Sequence, residues 1–219
     1  MNSYNPPNLL AFDAAIFDLD GTLLDTGPEL VDACEGAFAL HGLPFDRHLA
    51  VQYCGHGGIA MVQAHIPDIA DDKLQTLIAD FLLCYERDLG SNTAFSPGAL
   101  AVVEHFERRG CPVAIVTNKR TTLTHKLLER LGLTGRFEPV VCRDTFAQPK
   151  PDPTGILHCV DRFGLPKSRI LWLGDSSTDG ETGRNAQLPT VLVESGYTPV
   201  AEMAGMGDYR VRSLADIQA

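Results

Sequence analysis

The chain is poor in positive charge: 18 lysines and arginines stand against 28 acidic residues, a formal net charge of −10 over 219 residues, and no five like charges run together. Nucleic acid is therefore not expected as a partner, because gripping a phosphate backbone needs a basic face that releases counterions. Nor is there an apolar stretch approaching about eighteen residues, the length that reads as a membrane-spanning helix. The opening MNSYNPPNLL lacks the basic region, apolar core and small-residue cleavage site of a secretory leader. A soluble, cytoplasmic protein with no membrane partner is expected. No CxxC pair occurs among the six cysteines, and several sit in apolar segments. They read as reduced core thiols rather than a disulfide framework or zinc site. Internal repeats and low-complexity tracts are also missing, so only changes of pattern can divide the chain.

What is present is enough apolar content, 44%, to bury a sizeable core. Five short apolar runs read as buried strands: Ala14 to Phe17, Val113 to Val116, Val140 to Cys142, Ile170 to Leu173 and Thr190 to Val193. Helical patterns lie between them. Leu100, Val103 and Phe106 follow a Ser96-Pro97 start and precede Gly110; Leu123, Leu127, Leu128 and Leu131 precede Gly132; Ile156, Cys159, Val160 and Phe163 precede Gly164. Alternation of this kind predicts an α/β fold, an open parallel sheet with helices on both faces. Residues 27–93 break the alternation with two helical stretches, one through Leu30, Cys34, Ala37 and Phe38, the other through Leu74, Leu77, Ile78, Phe81 and Leu82. The expected organisation is a core of residues 1–26 and 94–219 with an inserted helical unit of residues 27–93.

The chemistry gathers at the strand ends, where ligands of open parallel sheets bind. Asp18-Leu19-Asp20-Gly21-Thr22 follows the run AAIF, and two carboxylates two residues apart repel unless a cation lies between them. A hard divalent ion with oxygen ligands, magnesium above all, would keep them ionised; a solvated Asp-Gly turn gives the same letters. The run VAIV ends in Thr117-Asn118-Lys119, a phosphate cradle or an ordinary helix cap. Lys150 lies among three prolines in QPKPDP, which would fix its charge in place, though most lysines are merely solvated. Asp175 and Asp179 follow Ile170 to Leu173 in GDSSTD and would complete a metal site or cap a helix.

Taken in order, hhhhDxDGT, hhhhTN, a KP loop and hhhhGDSxxD resemble the motifs of the haloacid dehalogenase superfamily, and most closely its phosphoglycolate phosphatase-like branch. Asp25-Thr26 and Ser195-Gly196-Tyr197 fall in the same order. Gln187 stands where that branch commonly has glycine, and Cys142-Arg143 replaces a frequent glycine pair. The resemblance implies a magnesium-dependent phosphatase acting on a small-molecule phosphate monoester, phosphoglycolate first among candidates. In it Asp18 is the nucleophile, Asp20 the acid/base, and Asp18, Asp20 and Asp175 surround magnesium, with the Leu19 carbonyl as a further ligand. Thr117, Asn118 and Lys150 hold the phosphoryl group, Asp179 supports the metal site, and residues 27–93 form a cap. His56, in the glycine-rich CGHGG of that cap, is a candidate contact to the substrate's nonphosphate end. A phosphosugar mutase or a sugar or nucleotide phosphatase would use the same aspartate. A dehalogenase would lack Asp20, a phosphonate hydrolase would need a cap lysine, and Lys73 is the only one there. A noncatalytic phosphoacceptor would leave Asp20 and the cap without a task.

Overall fold

Four consecutive residues without a polar side chain, Ala14–Phe17, form β1, and all four are buried. In the computed structural model, which describes residues 4–54 and 58–218, the chain turns after β1 into the short β2 (Leu24–Asp25). Helices α1 (Gly27–Leu40), α2 (Arg47–Tyr53), α3 (Gly58–His65) and α4 (Asp71–Asp88) follow, and β3 (Ala94–Phe95) pairs with β2. The rest alternates: α5 (Ala99–Arg108), β4 (Val113–Val116), α6 (Thr121–Arg130), β5 (Val140–Val141), α7 (Thr154–Phe163), β6 (Ile170–Gly174), α8 (Ser177–Ala186), β7 (Thr190–Val193) and β8 (Tyr209–Val211). Two compact units result, Met1–Leu24 with Phe95–Ala219, and Asp25–Ala94. The chain crosses between them at 24/25 and 94/95, against the 26/27 and 93/94 drawn from the change of pattern.

In the first unit six strands pair in parallel in the order β5-β4-β1-β6-β7-β8. Every strand expected from an apolar run is present. Register decides where the chemistry falls: Phe17 lies opposite both Ile115 and Leu173, so β1, β4 and β6 end within one residue of one another. The next residues therefore leave the sheet at one edge. The Asp18 amide donates to Leu173 O at 2.8 Å and the Thr117 amide to Val141 O at 2.9 Å.

One face of the sheet packs Ile16, Val116, Ile170 and Trp172 against Ile156, Cys159, Ala186 and Leu188. Burial of each large side chain contributes about 1.5–3 kcal/mol. Helix α8 carries no apolar stripe in STDGETGRNA and is not expected from periodicity. Its start is fixed instead by a capping box between Ser176 and Asp179, and Gly183 brings its backbone so near Trp172 and Thr190 that a Cβ would overlap them. The Ser96-Pro97 start expected for α5 is displaced: Gly98, at φ 83°, takes the N-cap, where a side chain would strike the backbone of Leu214 and Ala215.

Between the strand residues Asp25 and Ala94 at its two ends, the described elements of the second unit are all helices. Leu30, Cys34, Ala37 and Phe38 of α1 and Leu74, Leu77 and Phe81 of α4 turn inward, as their spacing predicts, while α2 and α3 are additional. Buried Glu29 accepts the amides of Gly90 at 2.9 Å and Asn92 at 2.6 Å, anchoring the start of α1 to the segment after α4. No described helix is long and apolar enough to cross a membrane.

Candidate active site

Asp18, Asp175 and Asp179 meet at the carboxyl edge of the sheet, with one oxygen from each within 4.8 Å of the others, and all three are buried. Lys150 reaches into this group from its proline-flanked loop. Its ammonium lies 2.8 Å from Asp18 Oδ1 and 2.7 Å from Asp179 Oδ1, and its side chain is 4% exposed. The Trp172 ring lies beside it, 5.2 Å from centroid to nitrogen. Asn118 sets the loop's position: its side-chain carbonyl accepts the Lys150 amide at 3.0 Å and its NH₂ donates to the Lys150 carbonyl at 3.1 Å. The loop that carries the cation is thus tied to the end of β4.

Asp179 is saturated. Besides Lys150 on Oδ1, its Oδ2 accepts the amides of Asp175 at 3.1 Å and Ser176 at 3.0 Å and the Ser176 hydroxyl at 2.6 Å. It is therefore an orienting group for Lys150 and for the start of α8. Asp175 is held differently, by the Thr22 hydroxyl at 2.6 Å on one oxygen and the Tyr197 amide at 3.0 Å on the other. Gly21, at φ 86°, and Gly196 press their backbones against this carboxylate; a Cβ on Gly21 would stand 2.5 Å from Asp175 Oδ2, and one on Gly196 would overlap it.

Asp20 stands apart from these three. Both oxygens of its carboxylate accept from the Lys119 ammonium, at 2.9 and 3.1 Å. The sequence places Asp20 among the metal ligands, whereas the geometry groups Asp18 and Asp175 with Asp179. The Leu19 carbonyl, expected as a ligand, instead accepts the amides of Leu23 at 3.1 Å and Leu24 at 2.9 Å, closing the turn after β1. Thr117 is buried at the end of β4, where its hydroxyl accepts the Lys119 amide at 3.1 Å. His56 lies outside the described residues. Lys119, Thr22 and Tyr197 are the site groups that spacing does not assign.

Charge crowding shows in the acidities. Burial pushes Asp18 well above the usual carboxylate range; Lys150 pulls it down, while the charges of Asp179 and Asp175 push it further up. Burial and then Asp179 raise Asp175 to about 7, against the Thr22 and Tyr197 hydrogen bonds and Lys150. For Lys150, burial alone would lower the pKa, but Asp179 and Asp18 outweigh it and hold the ammonium above its ordinary value. With all three carboxylates ionised, the one ammonium among them would leave negative charge uncompensated. An all-oxygen, anionic donor set of this kind fits a hard divalent cation.

A family model for the haloacid dehalogenase-like hydrolases matches residues 15–193. A phosphoglycolate phosphatase of Mesorhizobium japonicum is 37% identical over 191 residues, covering 84% of this chain and 83% of that protein. An N-acetylmuramic acid 6-phosphate phosphatase of Pseudomonas putida is 32% identical over 186 residues, with 84% and 83% covered. The crystal structure of a predicted phosphoglycolate phosphatase from Haemophilus somnus 129pt superposes with a TM-score of 0.82 at 25% identity, over 94% of this chain and 96% of that one. With its site built on the carboxyl edge of a parallel sheet and this likeness running through nearly all of it, the chain belongs to the haloacid dehalogenase-like hydrolase family.

Proposed function

We propose that this chain is a magnesium-dependent phosphoric monoester hydrolase that passes the phosphoryl group through Asp18. The observation that carries the reading is the placement of Asp18: a buried carboxylate, 2.8 Å from the Lys150 ammonium, grouped with Asp175 and Asp179. A carboxylate is a poor nucleophile toward a phosphate dianion, so attack needs neutralised charge and fixed geometry. Asp18 and Asp175 would hold magnesium, which would supply a Lewis acid that offsets the phosphate charge and keeps these ligands ionised.

The residues divide the remaining work. Lys150, the Thr117 hydroxyl and the backbone N–H of Asn118 hold the phosphoryl oxygens. Asp18 attacks phosphorus; an Asp18–phosphorus bond forms, the ester oxygen–phosphorus bond breaks, and its electron pair leaves with the alcohol oxygen, which takes the proton of Asp20. Ionised Asp20 then removes a proton from water as that oxygen attacks phosphorus, and the Asp18–phosphorus bond breaks to give free phosphate and restore the carboxylate. One group serves both half-reactions. In this reading the helical unit is a cap that shuts out bulk water during the transfer and opens for release.

Phosphoglycolate is the first substrate to test and N-acetylmuramic acid 6-phosphate the second, since these are named for the relatives, and both are phosphorylated carboxylic acids. All six cysteines are free, which suits a reducing cytoplasm. A screen of phosphate monoesters with continuous phosphate release should show many turnovers per enzyme, concentrated on small phosphorylated acids, and none with Asp18→Asn. Release that stops after one equivalent would make Asp18 a phosphoacceptor rather than a catalyst. Undiminished release by Asp18→Asn would remove it from the mechanism.

A further inference from the structure

Four carboxylates leave the sheet at one edge, and two lysines sort them. Lys150 bridges Asp18 and Asp179, whereas Lys119 pairs with Asp20, donating to both its oxygens at 2.9 and 3.1 Å. Lys119 is not loosely tethered. Its amide donates to Thr117 Oγ1 at 3.1 Å, its carbonyl accepts the Arg143 amide at 3.0 Å, and its side chain is 5% exposed. Asp20 is fixed at its base as well: it bridges Leu24, and the following Gly21 amide donates to the Leu24 carbonyl at 2.8 Å. Both ends of this pair are therefore built into backbone that the sheet holds.

The placement bears on a problem posed by DxD. A carboxylate two residues from Asp18 would be drawn to any cation held by Asp18 and Asp175, and a carboxylate bound to that cation could not carry the proton that the leaving group needs. We propose that Lys119 is a positioning residue that holds the Asp20 carboxylate outside the Asp18–Asp175–Asp179 group, so that it remains available for proton transfer. The inference rests on the reading of Asp20 as the acid/base. Lys119 touches neither the phosphoryl group nor the metal ligands in this account; it acts only through Asp20. Without it Asp20 turns toward the metal ligands or out to water, and part of the roughly 10²- to 10⁴-fold contribution of a positioned proton donor is lost.

The test compares Lys119→Met, Asp20→Asn and the double variant in single-turnover assays. Two substrates are used: an alkyl phosphate, phosphoglycolate or the best monoester of the screen, and p-nitrophenyl phosphate, whose leaving group needs little protonation. Lys119→Met should lose at least about tenfold more rate on the alkyl than on the aryl ester. Lys119→Arg should recover part of that loss, and the double variant should be no slower than Asp20→Asn, because both changes act on one group. Lys119→Gln replaces Lys119→Met should the latter not fold. Equal losses on the two esters by Lys119→Met, or losses that multiply in the double variant, overturn the proposal while leaving Asp20 its role. An Asp20→Asn variant with no leaving-group dependence overturns the underlying reading of Asp20, and this inference with it.

Discussion

Replacing Lys150 by methionine removes one charge while keeping most of the apolar stem, and the geometry sets the cost. The ammonium is buried and sits 2.8 Å from Asp18 and 2.7 Å from Asp179. Its loss strands two buried carboxylates whose hydrogen bonds and packing were arranged around it. Removing one partner of a buried ion pair destabilises by about 3–5 kcal/mol. For a chain of this size that corresponds to roughly 6–20 °C in Tm. The penalty should depend on pH. Asp18 is already raised by burial, with Lys150 pulling it down from an even higher value, so without Lys150 it rises further. Between the ordinary aspartate value of 3.8 and that raised value, the native variant holds a proton that the unfolded chain has released. Its stability therefore falls as pH rises through the interval, and is recovered below it. Thermal and urea unfolding in excess chelator, at pH 5 and pH 8, should show a deficit relative to the parent that is larger at pH 8. A deficit independent of pH, or one under about 1 kcal/mol at pH 8, would refute the argument that Lys150 neutralises Asp18 and Asp179.

Exhaustive chelation should abolish turnover and magnesium should restore it, whereas calcium should bind but turn over poorly, because its larger and looser shell misplaces the nucleophile; activity that survives chelation refutes the metal reading. Gln187 closes α8 in the left-handed region, φ 58° and ψ 45°, with the Leu188 amide donating back to Gly183 O at 3.0 Å. That conformation costs a side-chain-bearing residue about 1–2 kcal/mol, of which glycine's extra freedom when unfolded takes back about 0.5–1. Gln187→Gly should thus gain about 0.5–1 kcal/mol in urea unfolding, and a loss would show that the Gln187 side chain contributes packing of its own.

How much could be read in advance follows from where the information lies. β1 and β4 begin and end where their apolar runs do, because a central strand covered on both faces leaves little place for a polar residue. β8 escapes notice, being three residues long at the sheet edge with Arg210 in its middle. α8 escapes for another reason: its approach to the sheet uses Gly180 and Gly183 rather than a leucine stripe, so closeness replaces periodicity. The site shows the same division. Asp18, Thr117 and Asp175 were legible because each directly follows a strand and the register lines those strands up. Lys119 stands in plain view after Asn118, yet nothing in linear spacing says that its ammonium reaches Asp20, 99 residues away. The Leu19 carbonyl illustrates the converse. Its position beside Asp18 suits a ligand, but the turn that must follow uses that carbonyl for its own closure.

The Ser96 amide donates to the Leu23 carbonyl at 3.0 Å, so the two cut ends of the α/β unit already touch where the helical segment departs and returns. To the sheet, some seventy intervening residues, Asp25–Ala94, are topologically a single long loop with closed ends. Lengthening such a loop costs only about 0.6 kcal/mol per doubling. Descent can therefore enlarge, shrink or replace the segment while every strand register stays as it is. Beyond Leu24, whose backbone helps to fix Asp20, the segment can change without moving the carboxylates and lysines at the sheet edge.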